Sequence, residues 1–384
     1  MTIKSRRILE SLVSYPTVSN GSNLDLVGWI CDYLEDHGIN CHLDYNSDGT
    51  KASIYALIGP EEPDGIILSG HTDVVPVAGQ KWQTDPWKLI ESDGKLHGRG
   101  TCDMKGFLAN VLAMVPEMTE VELKRPIQLA FSRDEEIGCI GAPPMISKIR
   151  DQLPPAKLAI IGEPSMLKVV TGHKGGTAIS VHVRGFEVHS SIMHQGVSAI
   201  MYGAKLIEWA NQRNKENSEK RKDSITSQFV PPYTTLHVGK IKGGTAQNIT
   251  AKDCRFFIEI RCVPGEEPRR WVSEFQQYAL ELESEMKKVN EEAGINVGDW
   301  FNVPPLKPET NGAAEEMARR ITGDNSINVV SYATEAGQFQ EEGYSAVVCG
   351  PGSIEQAHGA DEFISISQLE AGERFIGKII RELT

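Results

Sequence analysis

Nowhere in the chain do about 18 apolar residues run together, so no helix could cross a bilayer with its backbone polar groups satisfied. Positive charge is also scarce. The 39 Lys and Arg stand against 52 Asp and Glu, a formal net charge of -13, whereas nucleic acid and anionic membranes both demand a basic surface. A small-molecule partner is the expectation that remains. The seven cysteines, at 31, 41, 102, 139, 254, 262 and 349, include no C-x-x-C pair to clamp a metal or shuttle electrons. They are read as reduced thiols, mostly in the core. The stretch GRGTCD lacks the third glycine of a dinucleotide fingerprint, and no G-x-S-x-G elbow marks a serine hydrolase. Fixed-period repeats and low-complexity tails are absent too. The amino-terminal MTIKSRRILESL meets Glu10 before any apolar run long enough for a signal-peptide core, so a cytoplasmic protein is expected.

What is present is ordinary globular composition, 40% hydrophobic and 24% charged over 384 residues, enough for two cores. Leu26, Val27, Ile30 and Leu34 recur at helical spacing between Ser22 and Gly38. Short apolar runs at 53–58, 65–68, 127–131 and 158–161, with helical patterns after Asp103 and Gly141, predict an α/β fold around a mixed, largely parallel sheet. After His173 the texture changes to a smaller β-α-β-β-α unit: TAISVHVRG, a helix over 197–212, TTLHVGKI, CRFFIEIRC and a helix from Pro268 to about Glu292. The mixed-charge run RNKENSEKRKD at 213–223 reads as a solvated loop. From about Leu306 the α/β pattern resumes, so the smaller α+β domain is expected as an insertion, with boundaries at 1–176, 177–303 and 304–384.

Chemistry-bearing residues gather where strands end. In IILSGHTDVVP, His71 and Asp73 leave a strand on one face, so one can ligate while the other orients it; alone, H-x-D is equally ordinary polar chemistry. Asp103, in GRGTCDMKG, could bind a cation or cap the helix it precedes. FSRDEEIGCIG carries Asp134, Glu135 and Glu136 in a row, mutually repulsive unless water or a cation relieves them. IIGEPS adds Glu163 at the next strand end, and GPGSIEQAHGADEF holds His358 in glycine-rich turns with Glu355 and Glu362 nearby. Assigning His71, Asp103 and Glu163 to one ion and Asp103, Glu136 and His358 to a second makes Asp103 a bridge. Imidazole and carboxylate donors suit two zinc ions, and cobalt or manganese could use the same atoms. On the strand FFIEIR, Arg261 could grip a substrate carboxylate or form a structural ion pair. Asn248, in KGGTAQN, could bind substrate or oxyanion, or simply form a turn.

These five motifs, in this order, resemble the two-zinc aminoacylase and carboxypeptidase family of metallopeptidases, and the likeness covers nearly the whole chain. It implies a catalytic α/β domain interrupted by a lid or dimerisation domain, a homodimer, and hydrolysis of an amide bond in a small N-acyl amino acid. By the same resemblance Glu135 is the general base, Asp73 supports His71, and His189 in GFEVHSS steadies the tetrahedral oxyanion, reaching into the partner subunit's site. The segments SYPTVS (14–19), ATEAGQF (333–339) and CGPGSIEQAH (349–358) carry the finer likeness. Through the second of these Glu335 is expected to read a substrate ammonium.

Overall fold

The computed structural model describes residues 4–384; the first three residues of the stretch weighed for an export signal lie outside that range. The chain forms two compact units. One runs to Gly172 and resumes over Pro308–Asn328 and Thr334–Thr384; the other comprises His173–Lys307 and Val329–Ala333.

The larger sheet orders eight strands as Cys41–Tyr45, Ala52–Ile58, Ile127–Ser132, Gly65–His71, Ala156–Pro164, Ser345–Gly350, Val170–His173 and Asn328–Val330. Four central neighbours, from Ile127–Ser132 to Ser345–Gly350, run parallel. The first two strands join antiparallel at one edge. Every residue of Gly65–His71 and Ile127–Ser132 is buried, which explains why these strands read as unbroken apolar runs: helices cover a parallel sheet on both faces. The core draws Leu26, Ile30 and Leu34 from the helix Leu24–Glu35, Phe107 and Leu108 from Lys105–Ala113, and Ile376 and Ile380 from Ile366–Leu383. Each such burial contributes about 1.5–3 kcal/mol. Helix and sheet meet most tightly at Gly162, where a Cβ would lie 2.1 Å from the Phe107 ring. Only glycine lets the helix that follows Asp103 sit against the strand that carries Glu163.

Two sequence expectations need correction. Cys31 and Cys41, read as reduced thiols, are joined by a disulfide (S–S 1.95 Å) that ties the end of Leu24–Glu35 to the edge strand. Pairing is a property of the fold, which brings their Cα atoms to 5.4 Å, and spacing along the chain does not reveal it. Among the described residues the other five cysteines are free and buried. The charged run starting at Arg213 is not a loop throughout, because the helix Ala199–Glu219 continues into it as far as Glu219 and only its last four residues lie outside. Asn214 and Asn217 hold it there: the Asn214 amide donates to the Leu236 carbonyl and accepts from the Leu236 N–H, and the buried Asn217 donates to the Thr234 carbonyl.

The smaller unit has its own sheet, ordered Thr235–His237, Asp253–Cys262, Gly175–Arg184 and Gly294–Val303, with Ile241–Gly243 pairing on Asp253–Cys262. Here burial alternates along Asp253–Cys262, the mark of a sheet packed on one face. Ala199–Glu219 and Pro268–Lys287 supply that packing, with Trp209 edge-on to Trp271 and Phe275 at centroid distances of 6.4 and 5.3 Å. Among the described residues no helix is long and apolar enough to cross a membrane.

Candidate active site

The strands Gly65–His71, Ile127–Ser132 and Ala156–Pro164 all end at one edge of the parallel sheet, and the acids follow them there. His71 is fully buried. Its Nδ1 lies 2.8 Å from the main-chain oxygen of Asp73, and because a carbonyl can only accept, Nδ1 carries a proton and Nε2 is the nitrogen turned to the acids. Nε2 stands 3.0 Å from Asp103 Oδ1 and 3.7 Å from Glu163 Oε1. Across Asp103, Oδ2 is 3.1 Å from His358 Nε2, which is itself 3.0 Å from Glu136 Oε2. Asp103 thus faces one imidazole with each oxygen, the placement expected of a bridging carboxylate. It does not cap the following helix, which begins without a side-chain cap.

Asp73 supports His71 differently from the sequence expectation. Its carboxylate stands 3.6 Å from Nδ1 and instead accepts the Glu135 N–H at 3.0 Å, the Glu136 N–H at 3.3 Å and the Ser19 hydroxyl at 2.7 Å. One residue therefore orients the histidine through its main chain and fixes the paired-glutamate turn through its side chain. Asp134, at φ 57°, is held between Lys51 and Arg133. The Cys139 thiol donates to Glu135 Oε1 at 3.2 Å. None of Ser19, Lys51, Arg133 and Cys139 stood out in the sequence as a support, although Ser19 lay within SYPTVS and Arg133 and Cys139 within FSRDEEIGCIG.

The crowding has an electrostatic signature. Burial pushes Glu135 up to about 7 and, with Asp103 beside it, Glu136 up to about 8. Glu163 is raised well above the usual carboxylate range by burial and by Asp103 and Glu135. Hydrogen bonds that His358 donates to the Asp103 and Glu136 carboxylates raise it to about 10. Although burial opposes it, the Asp103 hydrogen bond and the charges of Glu163 and Glu135 raise His71 too. Asp103 itself is lowered, because the two imidazoles outweigh its burial. These directions mark buried carboxylates that stand short of neighbouring positive charge.

That deficit fits metal ions. Ligand atoms of His71, Glu135 and Glu163 lie within 4.8 Å of one another, as do those of His71, Asp103 and Glu136. Glu136 Oε1 is buried with no hydrogen-bond partner, an orphan that a cation would satisfy. A mixed imidazole and carboxylate set is the donor chemistry of zinc and its neighbours.

The model of peptidase family M20/M25/M40 matches residues 67–382. The chain belongs to that family. It is a metal-dependent hydrolase. This M20-family chain is 32% identical over 387 aligned residues to an acetylornithine deacetylase of Myxococcus xanthus, covering 98% of this chain and 96% of that protein. It is 30% identical to an acetylornithine deacetylase of Pasteurella multocida (strain Pm70), covering 97% and 96%. Solved structures share the fold: the M20 family metallo-carboxypeptidase Sso-CP2 from Sulfolobus solfataricus has a TM-score of 0.79 at 18% identity, covering 98% of each chain. Human carnosine dipeptidase 1 has a TM-score of 0.75 at 17% identity, covering 99% of this chain and 96% of that one.

The remaining candidates of the M20-family chain are differently placed. Glu335 is 1% exposed, bonded by the hydroxyls of Ser132 and Ser69, and pushed up to about 7 by burial. Arg261 pairs with Glu259 two residues away on its own strand. His189 is exposed, its Nδ1 2.8 Å from the Ser191 hydroxyl, and the main-chain oxygen of the exposed Asn248 accepts the Ser190 N–H at 2.9 Å.

Proposed function

We propose that this hydrolase removes the acetyl group of N2-acetyl-L-ornithine, giving L-ornithine and acetate for arginine biosynthesis in the cytoplasm. The observation that carries the substrate is the likeness to two acetylornithine deacetylases along nearly the entire chain.

In this reading His71, Asp103 and Glu163 hold one divalent ion, and Asp103, Glu136 and His358 hold a second, both zinc or, in its place, cobalt. When bound, such ions lower the pKa of water toward about 7 and polarise the amide carbonyl. The protein's own residues do the rest. Glu135 takes the proton from the attacking water and returns it to the departing amine. Asp73 keeps Glu135 in place through the turn amide it accepts, and Cys139 restrains the carboxylate from its other side. His189, acting across a homodimer formed through the smaller unit, donates to the oxyanion, and Asn248 contacts substrate or oxyanion beside it. Arg261 meets the substrate α-carboxylate in competition with Glu259, and Glu335 takes the side-chain ammonium by exchanging its two serine hydroxyl bonds for it.

The test is amine release from N-acetyl-L-ornithine and N-succinyl-L,L-diaminopimelate by zinc-loaded protein, each with a chelated control. Chelator-sensitive cleavage of the acetyl substrate is the expected result. Preference for the succinyl substrate would overturn the substrate assignment and move the enzyme to lysine biosynthesis. Turnover that survives complete chelation would overturn the metal assignment.

A further inference from the structure

Outside the ligand cluster, the most elaborate buried polar network in the larger unit converges on Glu362. The residue is 2% exposed, and its carboxylate accepts from four donors: Arg99 Nη1 at 2.8 Å, the Gly100 N–H at 2.9 Å, the Cys102 N–H at 2.9 Å and the Asp103 N–H at 3.0 Å. Three of these are main-chain groups of the loop that ends in Asp103. The main-chain oxygen of Glu362 also accepts the Gly98 N–H at 3.0 Å. Short antiparallel strands flank the contact, Phe363–Ser365 pairing with Lys95–His97, so register alone brings Glu362 beside the loop. Gly100 sits at φ 81°, where a Cβ would come within 2.8 Å of the Val74 side chain, so the loop's path leaves no room for another residue.

The same network reaches the other ligand. Arg99 Nη2 donates to Gln80 Oε1 at 2.6 Å, and Gln80 Nε2 donates to the main-chain oxygen of His358 at 2.7 Å. His358 and Asp361 both stand at left-handed backbone angles, φ 63° and 55°, a conformation that a non-glycine residue adopts only when its surroundings impose it. The Asp361 carboxylate accepts the Gln83 N–H at 2.8 Å. Arg99 also lies over the Trp82 ring at 5.0 Å, which fixes the guanidinium plane. A closed circuit results: Asp103 main chain to Glu362, to Arg99, to Gln80, to His358 main chain, and back through the imidazole to Asp103 Oδ2 at 3.1 Å.

We propose that Glu362, Arg99 and Gln80 are positioning residues that lock together the two loops carrying Asp103 and His358, and so set the bite of the Asp103–Glu136–His358 ion. None of the three touches a ligand side chain; they act on the main chain that aims it. The inference rests on the two-ion reading of the site. It predicts selectivity at one end: Gln80 reaches only the His358 main chain, whereas Glu362 holds Asp103, which both ions share, and His71 and Glu163 are delivered by sheet strands that the circuit does not touch. Loosening the circuit at Gln80 therefore weakens one ion and spares the other, and loosening it at Glu362 weakens both.

The test is cobalt binding by metal-free protein, followed through visible absorption in competition with a chelator, for the wild type, Glu362→Gln, Gln80→Ala and a control, Glu355→Gln, on the same loop. Wild type and control should bind two ions. Gln80→Ala should keep one ion at wild-type affinity and bind the second about 10- to 100-fold more weakly, the usual cost of removing a group that orients a ligand, with an altered absorption band for that ion; Glu362→Gln, which frees the shared Asp103, should weaken both. Gln80 is only half-buried, so its variant decides the matter if Glu362→Gln does not fold. Two ions of wild-type affinity and spectrum in Gln80→Ala would overturn the clamp alone, and so would equal weakening of both in that variant. A wild type that takes up no cobalt would overturn the metal site and the clamp with it.

Discussion

The ionisable groups at the strand ends of the larger unit and the polar residues singled out in the smaller one live under opposite conditions. His71, Asp103 and Glu163 are buried against one another, where an uncompensated charge has no water to relieve it. His189 and Asn248 are exposed, and Arg261 is half-exposed with Glu259 as its partner. The first group makes chemical sense only as a unit with cations. The second faces water and carries no such demand.

The sharpest way to break this contrast is at Glu135. Glu135→Gln should retain its metal, measured by elemental analysis, while turnover falls by about 10²- to 10⁴-fold, the range for a lost general acid-base; near-normal turnover would remove Glu135 from the chemistry. Next comes the exposed histidine. His189→Ala should lower turnover by about 10²-fold, as loss of one oxyanion donor does. Mixing it with inactive Glu135→Ala should restore part of the activity if the histidine serves its partner's site, and a mixture as inactive as its components would argue against action across the interface.

A smaller effect separates the units by pH. Glu135 and Glu136 rise from 4.5 to about 7 and about 8, and His358 from 6.5 to about 10. Through these three groups the folded metal-free protein binds more protons than the unfolded chain, so their contribution to its stability falls as pH rises. The glutamate contribution is fully present below pH 4.5 and is lost through about 7 to 8; the histidine contribution persists below pH 6.5 and is lost through about 10. Thermal melts of chelated protein from pH 5 to 8 should show a declining midpoint that saturating zinc removes. A pH-independent midpoint without metal would mean the cluster is not charge-starved. The smallest effect tests the other unit: Asn217→Ala should cost about 1 kcal/mol for the lost hydrogen bond, read as a lower urea midpoint with turnover unchanged.

Much of the site was legible because the sheet is parallel and doubly covered. Unbroken apolar runs located the strands, and the ionisable residues at or just past their carboxyl ends, His71, Glu135, Glu136 and Glu163, had to emerge at one sheet edge. Less was legible where main-chain geometry decides. H-x-D spacing suggested an imidazole held by the Asp73 carboxylate, but the fold gives that duty to the carbonyl and sends the carboxylate to the Glu135 and Glu136 amides. The three-residue strands Ile90–Ser92, Lys95–His97 and Phe363–Ser365 are too short to leave a periodicity, so the proximity of Glu362 to Asp103 was hidden, although the acid was visible four residues beyond His358. Charge density masked the end of the helix Ala199–Glu219, where the spacing of Asn214 and Asn217 on one face was the available clue.

The double use of Asp73 makes two properties of the site separable. A substitution such as Asp73→Asn leaves the carbonyl that accepts the His71 Nδ1 proton untouched, while it changes the acceptor of the glutamate-turn amides and of the Ser19 hydroxyl and removes the charge 3.6 Å from Nδ1. Selection could therefore retune how firmly the proton carrier is held, trading speed against substrate tolerance, while the histidine on which the ions depend keeps its main-chain anchor.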